Sequence, residues 1–122
     1  MSVTVLTKDN FDTETASGLS LVDFWASWCG PCRMMSPVVD ALPEKVEGLK
    51  VCKVNVDDEP DLADRFGIDM IPALIFIKDG READRMIGVK SEDALISKAR
   101  SSSDEGSLKR GRGDRPRRKR RA

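Results

Sequence analysis

The chain has 122 residues with 39% hydrophobic content, 21 basic and 21 acidic side chains, three cysteines and no histidine. That is material for one core and one compact domain; no window approaches the ~18 apolar residues of a membrane span, and one further cysteine and no histidine beside the Cys-x-x-Cys pair argue against a closed four-ligand zinc site. The zero net charge conceals a split, because residues 1–100 carry 12 basic and 18 acidic side chains whereas residues 101–122 carry 9 and 3.

Val3 and Val5 alternate with polar neighbours, and Asp9, Asn10 and Asp12 around Phe11 are capping-type residues, so a short strand followed by a short helix is predicted. Leu21 to Ala26 is a nearly continuous apolar run, the pattern of a central strand covered on both faces. After Cys32, the residues Met34, Met35, Val38, Val39 and Leu42 keep a helical rhythm with Pro37 inside it, which predicts a kinked helix failing between Pro43 and Gly48. Lys50 to Val56 reads as a second buried strand, and Asp58-Glu59-Pro60 opens a short helix ending at Phe66-Gly67. Ala73 to Lys78 and Arg81 to Ile87 flank Asp79-Gly80, a strong hairpin-turn signal. Ser91 can cap a last helix, with Glu92 and Asp93 suited to its dipole, expected to run to about Arg100. Apolar residues then all but vanish, which divides the chain into a domain at 1–100 and a basic tail at 101–122, expected to be disordered.

Chemistry concentrates at Trp28-Cys29-Gly30-Pro31-Cys32, directly after the central strand. If Cys29 ends the strand-to-helix turn and Cys32 lies in the first helical turn, both sulfurs fall on one side of a helix N-terminus, close enough to bond. Gly30 and Pro31 stiffen that turn, and Pro31 can enter the first helical turn where its missing N–H is harmless. In a reducing compartment such a pair is more naturally catalytic than structural.

These residues, with the element order, resemble the thioredoxin family over about residues 3 to 100. The resemblance implies an α/β thioredoxin fold, a central mixed sheet flanked by helices on both faces. It implies dithiol–disulfide exchange with no bound cofactor and no metal, through a redox-active disulfide Cys29–Cys32. Cys29 is then the nucleophile, made thiolate by the helix N-terminus, and Cys32 the resolving thiol. Acidification explains only part of this: moving from ~8.5 to ~7, for which thioredoxin itself is the reference case, raises thiolate about fifteenfold but loses about fourfold in nucleophilicity. Intramolecular resolution by Cys32 supplies the larger share.

Asp23 is the odd residue of the central strand, a carboxylate between Val22 and Phe24 that either reaches solvent or is desolvated with a raised pKa. The resemblance implies the second, with Asp23 taking the proton of Cys32 and Lys53 on the next strand as electrostatic partner. It further implies a cis peptide at Ile71-Pro72 facing the cysteines, where the Ile71 backbone could bond an extended client segment. Gly67, Met70, Ile71, Ala73 and Gly88 would contribute to the surrounding contact surface, Trp28 would lie on the surface beside the cysteines, and Trp25 would pack beneath. Arg33 stands where a lysine is more usual, and Ala73 where the family commonly has threonine. Cys52 reads as a buried, inert small residue.

The implied partners are thioredoxin reductase, which draws on NADPH, and disulfide-bearing clients of the ribonucleotide reductase, peroxiredoxin and methionine sulfoxide reductase types. A monomer in the cytoplasm, with no membrane association, is expected. The tail, with nine basic residues and no aromatic one, suits polyanion contact by phosphate neutralisation more than base stacking. A rival reading therefore makes the domain a binding or assembly subunit for nucleic acid or another polyanion; another makes it an oxidase or isomerase on the same fold.

Overall fold

The apolar runs at 19–25, 49–55 and 73–78 are buried along most of their length, so the strands they form need cover on both faces. In the computed structural model, which describes residues 3–112 with side chains to Ser103, the order is β1 (Val3–Val5), α1 (Phe11–Glu14), β2 (Leu19–Trp25), α2 (Gly30–Ala41), β3 (Leu49–Asn55), α3 (Pro60–Arg65), β4 (Ala73–Lys78), β5 (Arg81–Ile87) and α4 (Glu92–Arg112). A single 3₁₀ turn at Leu42–Glu44 follows α2. The strands form one sheet in the order β1-β3-β2-β4-β5. β1, β3 and β2 are parallel, while β4 runs antiparallel to β2 and β5 antiparallel to β4. The predicted mixed sheet is thus present with β2 at its centre.

Two cores form because successive residues of a strand point to opposite faces. On one face Leu21, Val51, Leu74 and Phe76 pack with Met35 and Val39 of α2 and Leu95 and Ala99 of α4. On the other, Val22, Phe24, Cys52, Val54 and Ile75 pack with Phe11 and Leu62 from α1 and α3. Asp23 shares the alternation of Leu21 and therefore faces α2.

The predicted turns hold for local reasons. Asp79 and Gly80 both take positive φ, 50° and 85°, which a two-residue hairpin turn with the right-handed strand twist requires. Gly67, at φ 63°, closes α3 by donating to the Asp64 carbonyl at 3.0 Å. Pro37 lies inside α2 without ending it. The last helix departs from expectation: it continues beyond Arg100 to Arg112. Leu95, Ala99 and Ser102 are all fully buried at i, i+4 and i+7, so the serine-rich start of the stretch read as a disordered tail carries the helix's core-facing stripe one turn further. Ser91 caps this helix, its Oγ accepting from the Ala94 N–H at 3.1 Å. The end of the basic tail, residues 113–122, lies outside the described residues, as do the side chains from 104 onward.

Candidate active site

The central strand ends at Trp25 with Ala26 just beyond it, and α2 begins a few residues on at Gly30. Cys29 occupies the N-cap of α2, with extended backbone, and Pro31 sits in its first turn. Cys29 and Cys32 form a disulfide with their Cα atoms 5.3 Å apart, inside the ordinary range for such a bond. The Cys32 backbone N–H donates to Cys29 Sγ at 3.1 Å, so a sulfur fills the place that a serine or aspartate oxygen usually takes at a helix cap. Both cysteines are almost fully buried. Ala26, Trp25, Val56 and Ile71 pack around them, which sets Trp25 beneath the site.

Large apolar side chains that neighbour these residues in sequence are exposed. Trp28 is 67% exposed, and Met34 and Met70 are each 65% exposed. Trp28 is held by its indole N–H, which donates to Asp57 Oδ2 at 2.9 Å. Arg33 donates to the Ser27 carbonyl at 2.8 Å, bracing the turn from the other side.

The Ile71–Pro72 peptide is cis. The Ile71 carbonyl lies 4.0 Å from Cys29 Sγ, and the Pro72 carbonyl accepts from the Gly88 N–H at 2.8 Å. Ile71, Pro72 and Gly88 are therefore brought to the disulfide, with Met70 exposed beside them. Ala73 is not on that surface: it is fully buried against Phe24 and Ile75, because the strand alternation turns it toward the α1/α3 layer. Gly67 is accounted for by its part in ending α3.

Asp23 is 1% exposed. Burial pushes its carboxyl up from 3.8 to about 6; the Lys53 charge opposes the rise and the Asp40 charge adds to it. Its Oδ1 has no hydrogen-bond partner among the described residues. Asp23 and Lys53 are register partners across β2 and β3, yet the expected pairing is not direct. The Lys53 ammonium hydrogen-bonds Ser36 Oγ at 2.6 Å and lies 2.9 Å from Asp40 Oδ1. The second contact is ionic rather than an aligned hydrogen bond, since that oxygen has no bond of proper geometry. Among the described residues no ion pair joins Lys53 to Asp23. The lysine stem is long enough to reach past its register partner to the helix above, and α2 offers it two oxygens.

Ser36, Asp40 and Asp57 were not singled out from the sequence. Asp40 and Ser36 follow Cys32 at spacings of eight and four residues, a single helical stripe that was legible in the sequence. For Asp57, reaching Trp28 from the end of β3, no local signal existed. Among the described residues no group of three or more potential ligands could hold a metal ion, and no helix is long and apolar enough to cross a membrane.

Comparison with known proteins agrees with this geometry. The family model described as thioredoxin matches residues 2–101. A thioredoxin of Chlamydia caviae is 47% identical over 94 residues, covering 77% of this chain and 92% of the relative. One from Porphyra purpurea is 47% identical over 100 residues, with 80% and 94% covered; one from Bacillus subtilis is 38% identical over 96 residues, with 78% and 92% covered. Among solved structures, a mutant thioredoxin from Halobacterium salinarum NRC-1 superposes with a TM-score of 0.79 at 33% identity, covering 84% of this chain and 91% of that one. A redox-active disulfide without external cofactor, a reductase that renews it and disulfide-bearing clients go with that family. The chain belongs to the thioredoxin family, and its cysteine pair serves a thioredoxin-type dithiol–disulfide reductase.

Proposed function

We propose that Cys29 attacks the client disulfide, that Cys32 resolves the resulting mixed disulfide, and that Asp23 accepts the Cys32 proton. The observation that carries this division of labour is the Cys32 N–H aimed at Cys29 Sγ over 3.1 Å at the start of a twelve-residue helix. A backbone donor and the positive end of a helix both favour thiolate at Cys29, whereas Cys32 lies inside the first turn and is 3% exposed.

In the first step the Cys29 thiolate forms a bond to one client sulfur as the client S–S bond breaks, and the other client sulfur leaves as a thiolate that takes a proton from solvent. In the second step Cys32 loses its proton to Asp23 and attacks Cys29 Sγ. The Cys29–Cys32 bond forms, the mixed disulfide breaks, and the second client sulfur leaves, so two electrons have passed to the client. Asp23 suits the acceptor role because a carboxyl brought up to about 6 is mostly ionised at neutral pH, yet basic enough to take a thiol proton transiently. The client segment lies along Ile71 and Pro72, against Met70, Trp28 and Gly88.

Thioredoxin reductase renews the dithiol with electrons from NADPH, and clients of the ribonucleotide reductase, peroxiredoxin and methionine sulfoxide reductase types receive them. The protein acts as a cytoplasmic monomer, with residues 1–100 and the turn of α4 that buries Ser102 forming the redox domain. NADPH consumption coupled through thioredoxin reductase to a disulfide-bearing protein tests the reading. Wild type sustains turnover, Cys32→Ser stalls as a mixed disulfide through Cys29, and Cys29→Ser traps nothing. Equal trapping by the two serine variants would overturn the assignment.

A further inference from the structure

The polar contacts of α2 continue past the disulfide. Cys32, Ser36 and Asp40 succeed one another at four-residue steps and so share a helix face. At the far end of that stripe, Ser36 and Asp40 together hold the Lys53 ammonium, at 2.6 Å and 2.9 Å. Lys53 belongs to β3 directly beside Asp23 in register, and pairing across that register would be the shortest way to neutralise a buried carboxylate. The molecule does otherwise, and Asp23 Oδ1 has no hydrogen-bond partner among the described residues.

We propose that Asp40 is a positioning residue of the redox site: with the help of Ser36 it draws the Lys53 ammonium onto α2 and away from Asp23, so that the carboxyl is left poised to exchange a proton instead of being locked in an ion pair. The arrangement is graded in exposure. Asp23 is 1% exposed, while the side chains of Lys53 and Asp40 are 15% and 37% exposed. The Lys53–Asp40 pair is thus the more exposed part of this polar group and Asp23 the buried part.

The electrostatic signs agree. Two charged groups act on Asp23: Lys53 from β3 lowers its pKa, and Asp40 from α2 raises it. On the β4 side its register partner is Leu74, which carries no charge. Asp40 therefore acts twice in the same direction, by its own charge and by occupying the cation that would otherwise stabilise ionised Asp23. Removing Asp40's charge turns Lys53 toward the buried carboxylate.

Direct titration of the Asp23 carboxyl by ¹³C NMR, in the full chain, tests this with Asp40→Asn. The expected result is a fall of about one pH unit in the Asp23 midpoint, the scale on which a freed cation within a few ångströms acts. Asp40→Glu restores the wild-type midpoint, and in a Lys53→Met background Asp40→Asn moves it by less than half as much. An unmoved or raised midpoint in Asp40→Asn overturns the proposal, as does a shift of the same size without Lys53. A general loss of packing would lower stability without this pattern, and the Asp40 side chain, 37% exposed, leaves room for the isosteric amide. The inference rests on Asp23 as proton acceptor for its catalytic consequence only, and a second measurement separates the two. If the Asp23 midpoint falls while the pH profile of mixed-disulfide resolution stays in place, Asp40 keeps its role and the proton-acceptor reading fails; if both move together, both stand.

Discussion

Asp23 and Cys52 occupy adjacent positions of the same paired strands, since Cys52 is the register partner of Val22 and Lys53 that of Asp23. They face opposite layers of the sheet. Asp23 is 1% and Cys52 0% exposed, and desolvation is the chief cause of a raised pKa in both, to about 6 for the carboxyl and about 11 for the thiol. The same physical effect therefore has opposite consequences. It brings the carboxyl to the edge of neutral pH and takes the thiol far from it, leaving about one Cys52 in ten thousand as thiolate at pH 7. Surroundings complete the contrast: an ion pair leads from Asp23 toward solvent, while Cys52 lies among Val22, Val54, Phe11 and Leu62.

The sharpest way to break this comparison is chemical. After reduction, native protein exposed briefly to iodoacetamide should carry the label on Cys29, with Cys52 modified more slowly by a factor on the order of a thousand or more. Peptide mass spectrometry reads the outcome. Comparable labelling of Cys52 would mean that its layer opens to water on the time scale of the experiment, and the contrast between the two faces would be lost. Cys29→Ser should likewise bring reductase turnover to the uncatalysed level, whereas Cys52→Ala leaves it unchanged.

The next effect concerns stability and pH. The Asp23 pKa is 3.8 in ordinary surroundings and about 6 when folded. Between those values the unfolded chain has already released the proton that the folded one still holds, so stability falls as pH rises through this window. The integrated loss is about 3 kcal/mol. Asp23→Asn removes the titration, and the variant should match the wild type near pH 4 and exceed it by about 3 kcal/mol above pH 7, as measured by denaturant unfolding of the oxidised form. Parallel pH dependence in both proteins would show that Asp23 ionises as freely folded as unfolded. Its separation from the inert burial of Cys52 would then vanish.

Legibility in the sequence followed the range of the interactions. The hairpin was readable to the residue because Asp79-Gly80 is a local instruction, and the cysteine pair because Cys29-Gly30-Pro31-Cys32 joins a strand to a helix start within a few residues. The Asp23–Lys53 relation was only half readable. Strand neighbours can be inferred from a resemblance, but which of three oxygens an ammonium takes depends on the helix packed above, and α2 supplied Ser36 and Asp40. Ala73 was placed on the client surface by the family resemblance, yet strand alternation turned its side chain inward. The end of α4 was missed for the converse reason: Ser102 is polar in composition but small enough to be buried, so a residue that reads as tail in one dimension fills a core position in three.

The smallest effect probes the quiet side of the sheet. Cys52→Ala removes one sulfur from a dry layer and should cost about 1 kcal/mol. Cys52→Ser keeps nearly the same shape but buries a hydroxyl, with a cost of about 2 kcal/mol when no partner is at hand. The neighbourhood offers little relief, for Ser20, on the same face of β2, is fully buried and its Oγ already lacks a partner among the described residues. Serine should therefore be the worse replacement although it is the closer in size, with reductase activity unchanged in either variant. The reverse order, serine tolerated and alanine costly, would mean that packing volume rather than dryness governs this layer. The low reactivity of Cys52 would then owe more to steric closure than to the desolvation that also sets Asp23.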